Sequence, residues 1–253
     1  KEINPDYIFH LAGISSPFFA ENNKKLTFDV NVNGTENICK AALSLAESPK
    51  ILIVSSSHVY GSPKYLPIDE SHPLDGEGVY TKSRIAQEKL IEKYKNDLSI
   101  VVARSFNHTG AGQTDDFVVP KIVKHIIEIK KGSRDYLEIG DVSIKRDILD
   151  VRDVVRAYEM LIKQEGLAGS VFNICRGQSI SLKQIIDHTK TKVGLLDLKL
   201  KVNQKFIKKN DPPDVVGSHD YLKKITGWEP EIRYDTMLDS IYDYLINKYS
   251  KKI

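Results

Sequence analysis

The segment PDYIFHLAG, residues 5–13, carries the apolar run that decides the fold of this chain. From Tyr7 to Leu11 the run is nearly continuous. An apolar run of this kind is typical of a strand that is central in a parallel sheet and buried on both faces. The segment therefore predicts an α/β protein with this strand inside the sheet.

Two further apolar strands follow along the chain. KILIVSSS begins a strand over residues 50–55 that ends in a serine-rich turn, and LSIVVARSF predicts a third strand over 98–106. Apolar residues at helical spacing predict a helix from about Leu26 to Leu45 and another that contains Tyr80. This alternation predicts right-handed crossovers and a parallel sheet with helices on both faces.

The pattern changes beyond residue 107, where the predicted helices and strands are shorter and more mixed. We therefore expect a first domain over residues 1–107 and a smaller mixed α/β domain over 108–253. Some segments of the second range are expected to return to the sheet. The smaller domain has the character of a substrate-binding domain.

Composition excludes several classes of function. The net charge of +3 is too small to indicate a nucleic-acid partner, and no basic run is interleaved with aromatic residues. No apolar stretch approaches the roughly 20 residues of a membrane span, and no signal peptide is visible. Cys39 and Cys175 lie in apolar segments without metal-ligand spacing. We expect reduced, buried thiols, no metal site and a cytoplasmic location.

Two short motifs carry candidate chemistry. In VYTKSR, residues 79–84, Tyr80 and Arg84 are four positions apart, so a helix places both side chains on one face. The pair is either a proton donor with a neighbouring cation or only a surface pair. In SSSHVYG, residues 55–61, serines follow a strand at the edge where doubly wound sheets bind ligands. The alternative is a serine turn that satisfies its own backbone.

These motifs belong to a set of nine short segments that occur in the same order in a known protein family, and the resemblance runs over all 253 residues. The chain resembles the extended short-chain dehydrogenase/reductases that act on nucleotide-diphosphate sugars. Within them it is most similar to GDP-4-keto-6-deoxymannose reductases, relatives of GDP-mannose 4,6-dehydratases and UDP-glucose 4-epimerases. The resemblance implies a Rossmann-type doubly wound parallel sheet that binds NAD or NADP. The nine segments are PDYIFHLAG, DVNVNGTENI, SSSHVYG, LPIDESHPL, YTKSR, RSFNHTGAGQ, KRDILDVRDV, VFNICRG and TGWEP.

The resemblance also implies three catalytic roles. Tyr80 is expected to protonate the substrate oxygen as hydride reaches the carbon, and Ser56 to hydrogen-bond the same oxygen. Arg84 stands where the family has the lysine that favours the tyrosinate and holds the nicotinamide ribose. Arginine keeps the charge but is bulkier and presents a planar fork, which leaves reduced activity or loss of catalysis open.

Binding residues are carried over in the same way. His58 stands where the resemblance places a dehydratase's acidic residue, which favours a reductase over a dehydratase. Arg146 is expected at the pyrophosphate, and Lys209 as a point charge in place of a family arginine, although a lone lysine is also typical of a solvated surface. The expected cofactor contacts are Leu11, Ala12, Gly13, Ser55, Tyr80, Arg84 and Phe106. The expected substrate contacts are Ser15, His58, Asn107, Lys121, Arg146 and Lys209.

The family's glycine-rich dinucleotide turn is absent from the sequence, since neither GxxGxxG nor GxGxxG occurs in it. We expect the N-terminal part of the fold to be missing, and the chain to be a piece of a protein of about 310–320 residues. Without the segment that reads the 2′ position of the cofactor, NAD and NADP stay open.

Three functions remain in competition. The first is NAD(P)H-dependent reduction of a nucleotide-diphosphate 4-keto-6-deoxy sugar, with GDP favoured. The second is a nucleotide-sugar epimerase with tightly bound NAD, and the third is a non-catalytic nucleotide-sugar-binding or scaffold protein. In relatives, helices corresponding to about 24–46 and 80–95 form a dimer interface, so a homodimer is expected.

Overall fold

The structure is a computed structural model that describes residues 3–207 and 211–250. The described residues form two compact units. The first unit comprises Lys1–Phe106, Val155–Cys175 and Gly217–Glu229, and the second comprises Asn107–Val154, Arg176–Val216 and Pro230–Ile253. Cofactor binding by the first unit and substrate binding by the second stay predictions.

The helices and strands alternate along much of the chain. In chain order they are β1 Tyr7–His10, α1 Pro17–Asn22, α2 Lys24–Phe28, α3 Gly34–Leu43, β2 Lys50–Ser56, α4 Val79–Ile91, β3 Ser99–Ser105, β4 Asn107–Thr109, α5 Val118–Lys130, β5 Leu137–Ile139, β6 Lys145–Asp150, α6 Val151–Ile162, β7 Val171–Ile174, β8 Ser179–Ser181, α7 Leu182–Lys192, β9 Leu200–Val202, β10 Asp214–Val215, α8 Asp220–Thr226 and α9 Tyr234–Ser250. A π-helical segment, Asp29–Asn33, connects α2 to α3.

The first unit contains a four-stranded parallel sheet in the order β1-β2-β3-β7. Strand β2 pairs with β3 along its whole length, from Lys50 opposite Ser99 to Ser56 opposite Ser105. The side chains of β2 and β3 are almost all buried, as expected of strands covered on both faces. The parallel strands and the helices between them confirm the predicted α/β fold. The core on one face includes Cys39, Ile51, Ile53, Ile91, Ile100 and Val102.

Strand β1 corrects one expectation. It was predicted to be buried on both faces, but Tyr7 is 45% exposed and Phe9 43% exposed. Only the other face is covered, where Ile8 packs on the core and His10 is buried. Within the described part of the chain, β1 pairs with β2 alone and is an edge strand. Its apolar sequence is therefore half exposed.

The second unit contains smaller sheets. Strands β10, β6 and β4 form a parallel sheet, with β8 antiparallel to β6, and β5 pairs with β9. Strand β4 is the polar segment NHT, which carries no strand pattern in the sequence and is held by its pairing with β6. The core includes Ile122, Ile126, Leu137, Ile185 and Leu238.

Helix α7 begins with a serine cap. Ser181 Oγ accepts a hydrogen bond from Gln184 N, and Gln184 Oε1 accepts one from Ser181 N, which together make a capping box. The described residues include both cysteines, which are buried and form no disulfide. No helix in the described ranges is long and apolar enough to cross a membrane.

Candidate active site

Ser56 lies at the carboxyl end of β2, where the strand gives way to a 3₁₀ turn, Ser57–Tyr60. Its backbone is still extended, and its Oγ accepts a hydrogen bond from His58 N at 3.3 Å. Accepting this bond leaves the hydroxyl hydrogen of Ser56 able to be donated. The serine turn thus satisfies part of its own backbone and still offers a donor at the sheet edge where ligands bind.

Tyr80 lies in the first turn of α4, and a residue distant in the sequence stabilises the start of this helix. Gly78 precedes the helix with φ of 86°, a conformation that favours glycine. The helix has no side-chain cap from its own N-cap residue; instead Glu21 Oε1 accepts a hydrogen bond from Val79 N at 2.7 Å. A carboxylate at a helix N-terminus is favourable because it satisfies a free amide and faces the positive end of the helix dipole. Glu21 therefore helps to fix the position of Tyr80.

The Tyr80 ring is enclosed by two neighbours. The His58 ring meets it in an edge-to-face arrangement, with centroids 5.5 Å apart and planes at 78°. On the side of Arg84, the guanidinium carbon lies 5.5 Å from the Tyr80 centroid. Tyr80 is 7% exposed, whereas His58 is exposed. The tyrosine is therefore not part of a surface pair, which was the alternative interpretation of VYTKSR.

Arg84 is 4% exposed and bonded to main-chain carbonyls of two strand-end segments. Its Nη1 donates to Val54 O at 3.0 Å, and its Nη2 contacts Ile14 O at 3.5 Å. A Cβ built on Gly13 would lie 2.7 Å from Nη2, so glycine makes room for the guanidinium. The Nε atom of Arg84 is buried and has no hydrogen-bond partner among the described residues. Buried donors are normally paired, so Nε is a donor that a bound group can satisfy.

A chain of buried polar side chains continues from Arg84. Its Nη1 also donates to Gln87 Oε1 at 3.0 Å, and Gln87 Nε2 donates to Thr35 Oγ1 at 2.8 Å. The Thr35 hydroxyl donates to Asn31 O at 2.8 Å, and His10 Nε2 lies 2.9 Å from Thr35 Oγ1. Because the threonine hydrogen is already used, His10 Nε2 is the donor in that contact. Burial, and secondly the charge of Arg84, lower the pKa of His10.

The side-chain amide of Asn31 joins the loop after β1 to helix α4 by hydrogen bonds. Asn31 Oδ1 accepts from Ile14 N at 2.8 Å, and its Nδ2 donates to Ile14 O at 3.2 Å and to Ser83 Oγ at 2.9 Å. The Ser83 hydroxyl in turn donates to the Tyr80 carbonyl at 2.6 Å. Asn31 thus connects the loop that carries Leu11, Ala12, Gly13 and Ser15 to the helix of Tyr80.

Ser55, which is expected at the cofactor, has a hydroxyl that is used inside the fold. Its side chain is 3% exposed, and its hydroxyl donates to Glu88 Oε1 at 2.5 Å. Glu88 also accepts from Arg104, at 2.7 Å between Oε2 and Nη2. Arg104 Nη1 donates to Tyr60 OH at 3.0 Å, and burial raises the pKa of Tyr60 above its usual range. The Ser55 hydroxyl therefore belongs to an internal ion-pair network.

Ser105 and Tyr158 form a second hydroxyl pair near the strand ends. Ser105 lies opposite Ser56 in the register of β2 and β3, and its Oγ is 2.6 Å from Tyr158 OH. Burial raises the pKa of Tyr158 to about 12, so this phenol is neutral. Tyr158 lies on α6, 78 residues after Tyr80 in the sequence, and no motif in the sequence indicated it.

The other expected cofactor residues, and the expected substrate contact Ser15 in the same loop, differ in exposure. Leu11 is 60% exposed, and Ala12 and Ser15 are also exposed in the loop after β1. Phe106, by contrast, is 2% exposed and packs near Tyr60, with ring centroids 6.4 Å apart. Their roles toward a cofactor or substrate stay predictions.

The substrate residues expected in the second unit lie on different elements. Asn107 is exposed at the start of β4, and Lys121 Nζ on α5 lies 5.3 Å from the centroid of the Phe206 ring. Arg146 forms a salt bridge with Asp211 at 2.8 Å and donates to Pro212 O at 2.9 Å. The expected pyrophosphate ligand is thus already paired with a carboxylate. Lys209 lies outside the described residues.

The parallel sheet, with a serine at a strand end and a tyrosine and a cation one helical turn apart, defines the fold and site of an extended short-chain dehydrogenase/reductase. The family model described as GDP-mannose 4,6 dehydratase matches residues 1–241, and the chain belongs to this family.

Individual relatives of the chain include a reductase, a dehydrogenase and an epimerase. The chain is 34% identical to a GDP-6-deoxy-D-mannose reductase of Pseudomonas aeruginosa, over 94% of this chain and 79% of the relative. It is 29% identical to a GDP-6-deoxy-D-talose 4-dehydrogenase of Aggregatibacter actinomycetemcomitans, over 90% of this chain and 75% of the relative. A UDP-glucose 4-epimerase of Halalkalibacterium halodurans is 26% identical, over 86% of this chain and 69% of the relative.

A solved structure agrees with these sequence relationships. The structure of RMD from Pseudomonas aeruginosa complexed with NADPH superposes with a TM-score of 0.90 and 32% identity, covering 96% of this chain and 82% of that one. A UDP-glucuronic acid 4-epimerase from Bacillus cereus, solved with UDP-glucuronic acid and NAD, has a TM-score of 0.86 and 20% identity, which shows the fold alone. Both nicotinamide cofactors thus occur among proteins of this fold. The Rossmann-type prediction is confirmed.

Proposed function

We propose that this protein reduces the keto group of a nucleotide-diphosphate 4-keto-6-deoxy sugar, GDP-linked, with NAD(P)H as the hydride donor. The observation that carries the proposal is the buried cation of Arg84 beside the buried ring of Tyr80, which lies on the helix following the Ser56 strand end. The 34% identity to a GDP-6-deoxy-D-mannose reductase supports the choice of reaction and of nucleotide.

The proposed chemistry needs one hydride and one proton. NAD(P)H, when bound, supplies the hydride to the carbonyl carbon. Ser56 donates its hydroxyl hydrogen to the carbonyl oxygen and orients it, and Tyr80 transfers its phenolic proton to that oxygen as the negative charge develops. The positive charge of Arg84 then stabilises the tyrosinate that remains until the phenol is reprotonated by solvent.

The residues present fit a nicotinamide nucleotide in one testable respect. Arg84 Nε–H is a buried donor without a partner among the described residues. A ribose hydroxyl is an acceptor that can satisfy such a donor. We propose that Arg84 holds the ribose together with the loop of Leu11, Ala12 and Gly13.

Dehydration is disfavoured by the residue at position 58. A proton must leave the sugar ring in that reaction, and the resemblance places a carboxylate there, whereas this chain has His58. Here the imidazole packs edge-on against Tyr80, and the His58 backbone N–H donates to Ser56. We propose that His58 confines the sugar beside Tyr80 and does not act as the base of a dehydration.

We also propose that the second unit binds the nucleotide through Asn107, Lys121, Arg146 and Lys209. Arg146 is held by Asp211, so binding of a pyrophosphate exchanges one anionic partner for another. Homodimerisation through the helices at 24–46 and 80–95 and a cytoplasmic location complete the proposal. Sedimentation that shows only monomer at micromolar concentration would count against the dimer.

The experiment is a reduction assay with GDP-4-keto-6-deoxymannose. NADPH and NADH are tested in parallel, and absorbance at the reduced nicotinamide band is followed together with the sugar product. The proposal expects sugar-dependent oxidation of one cofactor that is lost in Tyr80→Phe. A second candidate, an epimerase, is suggested by the UDP-glucose 4-epimerase relative; it predicts a changed sugar configuration without net oxidation of added cofactor.

A further inference from the structure

The arginine at position 84 has a dedicated partner on its own helix. Gln87 lies one turn further along α4, is fully buried, and accepts a hydrogen bond from Arg84 Nη1 at 3.0 Å. The other hydrogen of Nη1 is donated to Val54 O, also at 3.0 Å. Two acceptors on one nitrogen determine the plane of the guanidinium, because its N–H bonds lie in that plane.

The orientation of the Gln87 amide is also determined. Arginine can only donate, so the amide oxygen faces Arg84 and the amide nitrogen faces Thr35 Oγ1, 2.8 Å away. Thr35 donates its own hydrogen to Asn31 O and accepts from His10. The hydrogen bonds therefore run in one direction, from Arg84 to Gln87 and from Gln87 to Thr35. A flipped amide would place two donors against each other.

A lysine does not need such a partner. Its ammonium is a compact charge with three donors that rotate freely, whereas a guanidinium must be oriented as a plane. The space around Arg84 is also narrow, since a Cβ on Gly13 would lie 2.7 Å from Nη2 and 3.2 Å from Nη1. A guanidinium that tilted would lose its carbonyl acceptors and approach the backbone of this loop.

We propose that Gln87 is a positioning residue for Arg84, and that the two side chains form a matched pair that allows an arginine to hold the nicotinamide nucleotide. Gln87 is expected to touch neither the cofactor nor the sugar; it orients the guanidinium, and with it Nε–H, the donor of Arg84 that has no partner among the described residues. The inference rests on the proposed function for the identity of the bound nucleotide, but the Arg84–Gln87 pair itself does not.

A double-mutant cycle tests the pair. The dissociation constants of NADPH and NADH are measured by fluorescence for wild type, Gln87→Met, Arg84→Lys and the double variant. In the arginine background, loss of the Gln87 acceptor leaves a buried donor unpaired and raises the dissociation constant about tenfold. In the lysine background the same substitution changes it less than about twofold. Equal changes in both backgrounds would mean that Gln87 acts only through the general stability of the helix.

Two further variants separate positioning from stability. Gln87→Glu keeps an acceptor for Arg84 and is expected to bind nucleotide within about threefold of wild type. Gln184→Met is the matched control, because it removes a glutamine from the α7 capping box and lowers the stability of the second unit. It is expected to leave nucleotide affinity unchanged. A loss of affinity in Gln184→Met as large as that in Gln87→Met would overturn the proposal.

A measurement without cofactor tests the Arg84–Gln87 pairing even if no sugar is reduced. The NMR spectrum is recorded with arginine labelled by ¹⁵N at the guanidinium. If Nη1 is held by its two acceptors, rotation about the Cζ–Nη1 bond of Arg84 is slow and its Nη–H signals are resolved. Gln87→Met is expected to collapse these signals by faster rotation, while Gln87→Glu keeps them. Identical Arg84 spectra in wild type and Gln87→Met would disprove the pairing. Slow rotation without reduction of any tested sugar would reject the proposed function and leave the pair standing.

Discussion

The guanidinium carbon of Arg84 lies 5.5 Å from the centroid of the Tyr80 ring, and both side chains are more than nine-tenths buried. A charge that is shielded from water acts more strongly on its neighbour than an exposed charge. Arg84→Met removes the charge at similar length, so we expect a large fall in turnover. Arg84→Lys keeps the charge and is expected to be as active as wild type or more so. Steady-state kinetics of the three proteins checks both expectations.

Comparison of Arg84→Lys with Arg84→Met separates the effect of the charge from that of the guanidinium shape. Lysine is slimmer, and its ammonium can approach the ribose hydroxyls without a guanidinium fork. If the methionine variant turned over as fast as wild type, Arg84 would not be a catalytic partner of Tyr80, and its bonds to Val54 and Ile14 would be structural.

Tyr80 itself is tested by removal of its hydroxyl. Tyr80→Phe keeps the ring that packs against His58, so folding and nucleotide-sugar binding are expected to persist. Turnover is expected to fall by a factor of about 10² to 10⁴, the usual contribution of a general acid. Tyr244→Phe, at a 38% exposed tyrosine of α9, is the control and is expected to match wild type. Turnover of Tyr80→Phe within about a factor of three of wild type would exclude the assigned role.

Removal of one partner from the buried ion pair between Glu88 and Arg104 is expected to destabilise the first unit strongly. The two side chains are only 9% and 7% exposed, and their closest N–O distance is 2.7 Å. Arg104→Met leaves a buried carboxylate unpaired, so we expect a loss of about 3–5 kcal/mol in the free energy of unfolding. Urea denaturation measures this loss.

A surface pair supplies the control for that measurement. Lys163 and Glu159 are both 58% exposed, so Lys163→Met is expected to change the unfolding free energy by less than about 1 kcal/mol. The double variant Glu88→Leu/Arg104→Met removes both buried charges and should recover most of the loss. A single variant Arg104→Met as stable as Lys163→Met would contradict the account of the network.

Stability is expected to fall as the pH drops below about 6.5, and His10 contributes to this fall. Burial and the charge of Arg84 lower the folded-state pKa of His10 from its usual value of 6.5. The unfolded chain therefore binds a proton first, so the contribution is complete above pH 6.5 and is lost as the pH falls toward the folded pKa. His125 and His219, whose pKa values are lowered by burial, contribute in the same direction.

The measurement is the free energy of urea unfolding between pH 7.5 and pH 5, by the linkage relation between bound protons and stability. His10→Gln keeps an amide donor but has no proton to bind in this range, so its pH dependence is expected to be shallower than that of wild type. Superimposable pH profiles of the two proteins would show that His10 does not titrate differently on folding.

Sequence patterns predicted the strands β2 and β3, the helix of Tyr80 and the position of Ser56, because apolar period and strand ends are local features. They did not predict that Ser55 donates to Glu88, since that bond joins residues 33 positions apart. The chain from Arg84 to Gln87 and Thr35 was missed for the same reason: a polar residue carries no pattern that shows burial. The pairing of Arg146 with Asp211 also depends on tertiary proximity.

The most direct test of the proposed reaction is the fate of a labelled hydride. GDP-4-keto-6-deoxymannose is incubated with NADPH that carries deuterium at the transferable position of C4, and the experiment is repeated with labelled NADH. The account predicts that one cofactor is oxidised for each sugar consumed and that one deuterium is found on the carbon that bore the keto group. A product that differs in sugar configuration but contains no deuterium, with the added cofactor still reduced, would contradict it.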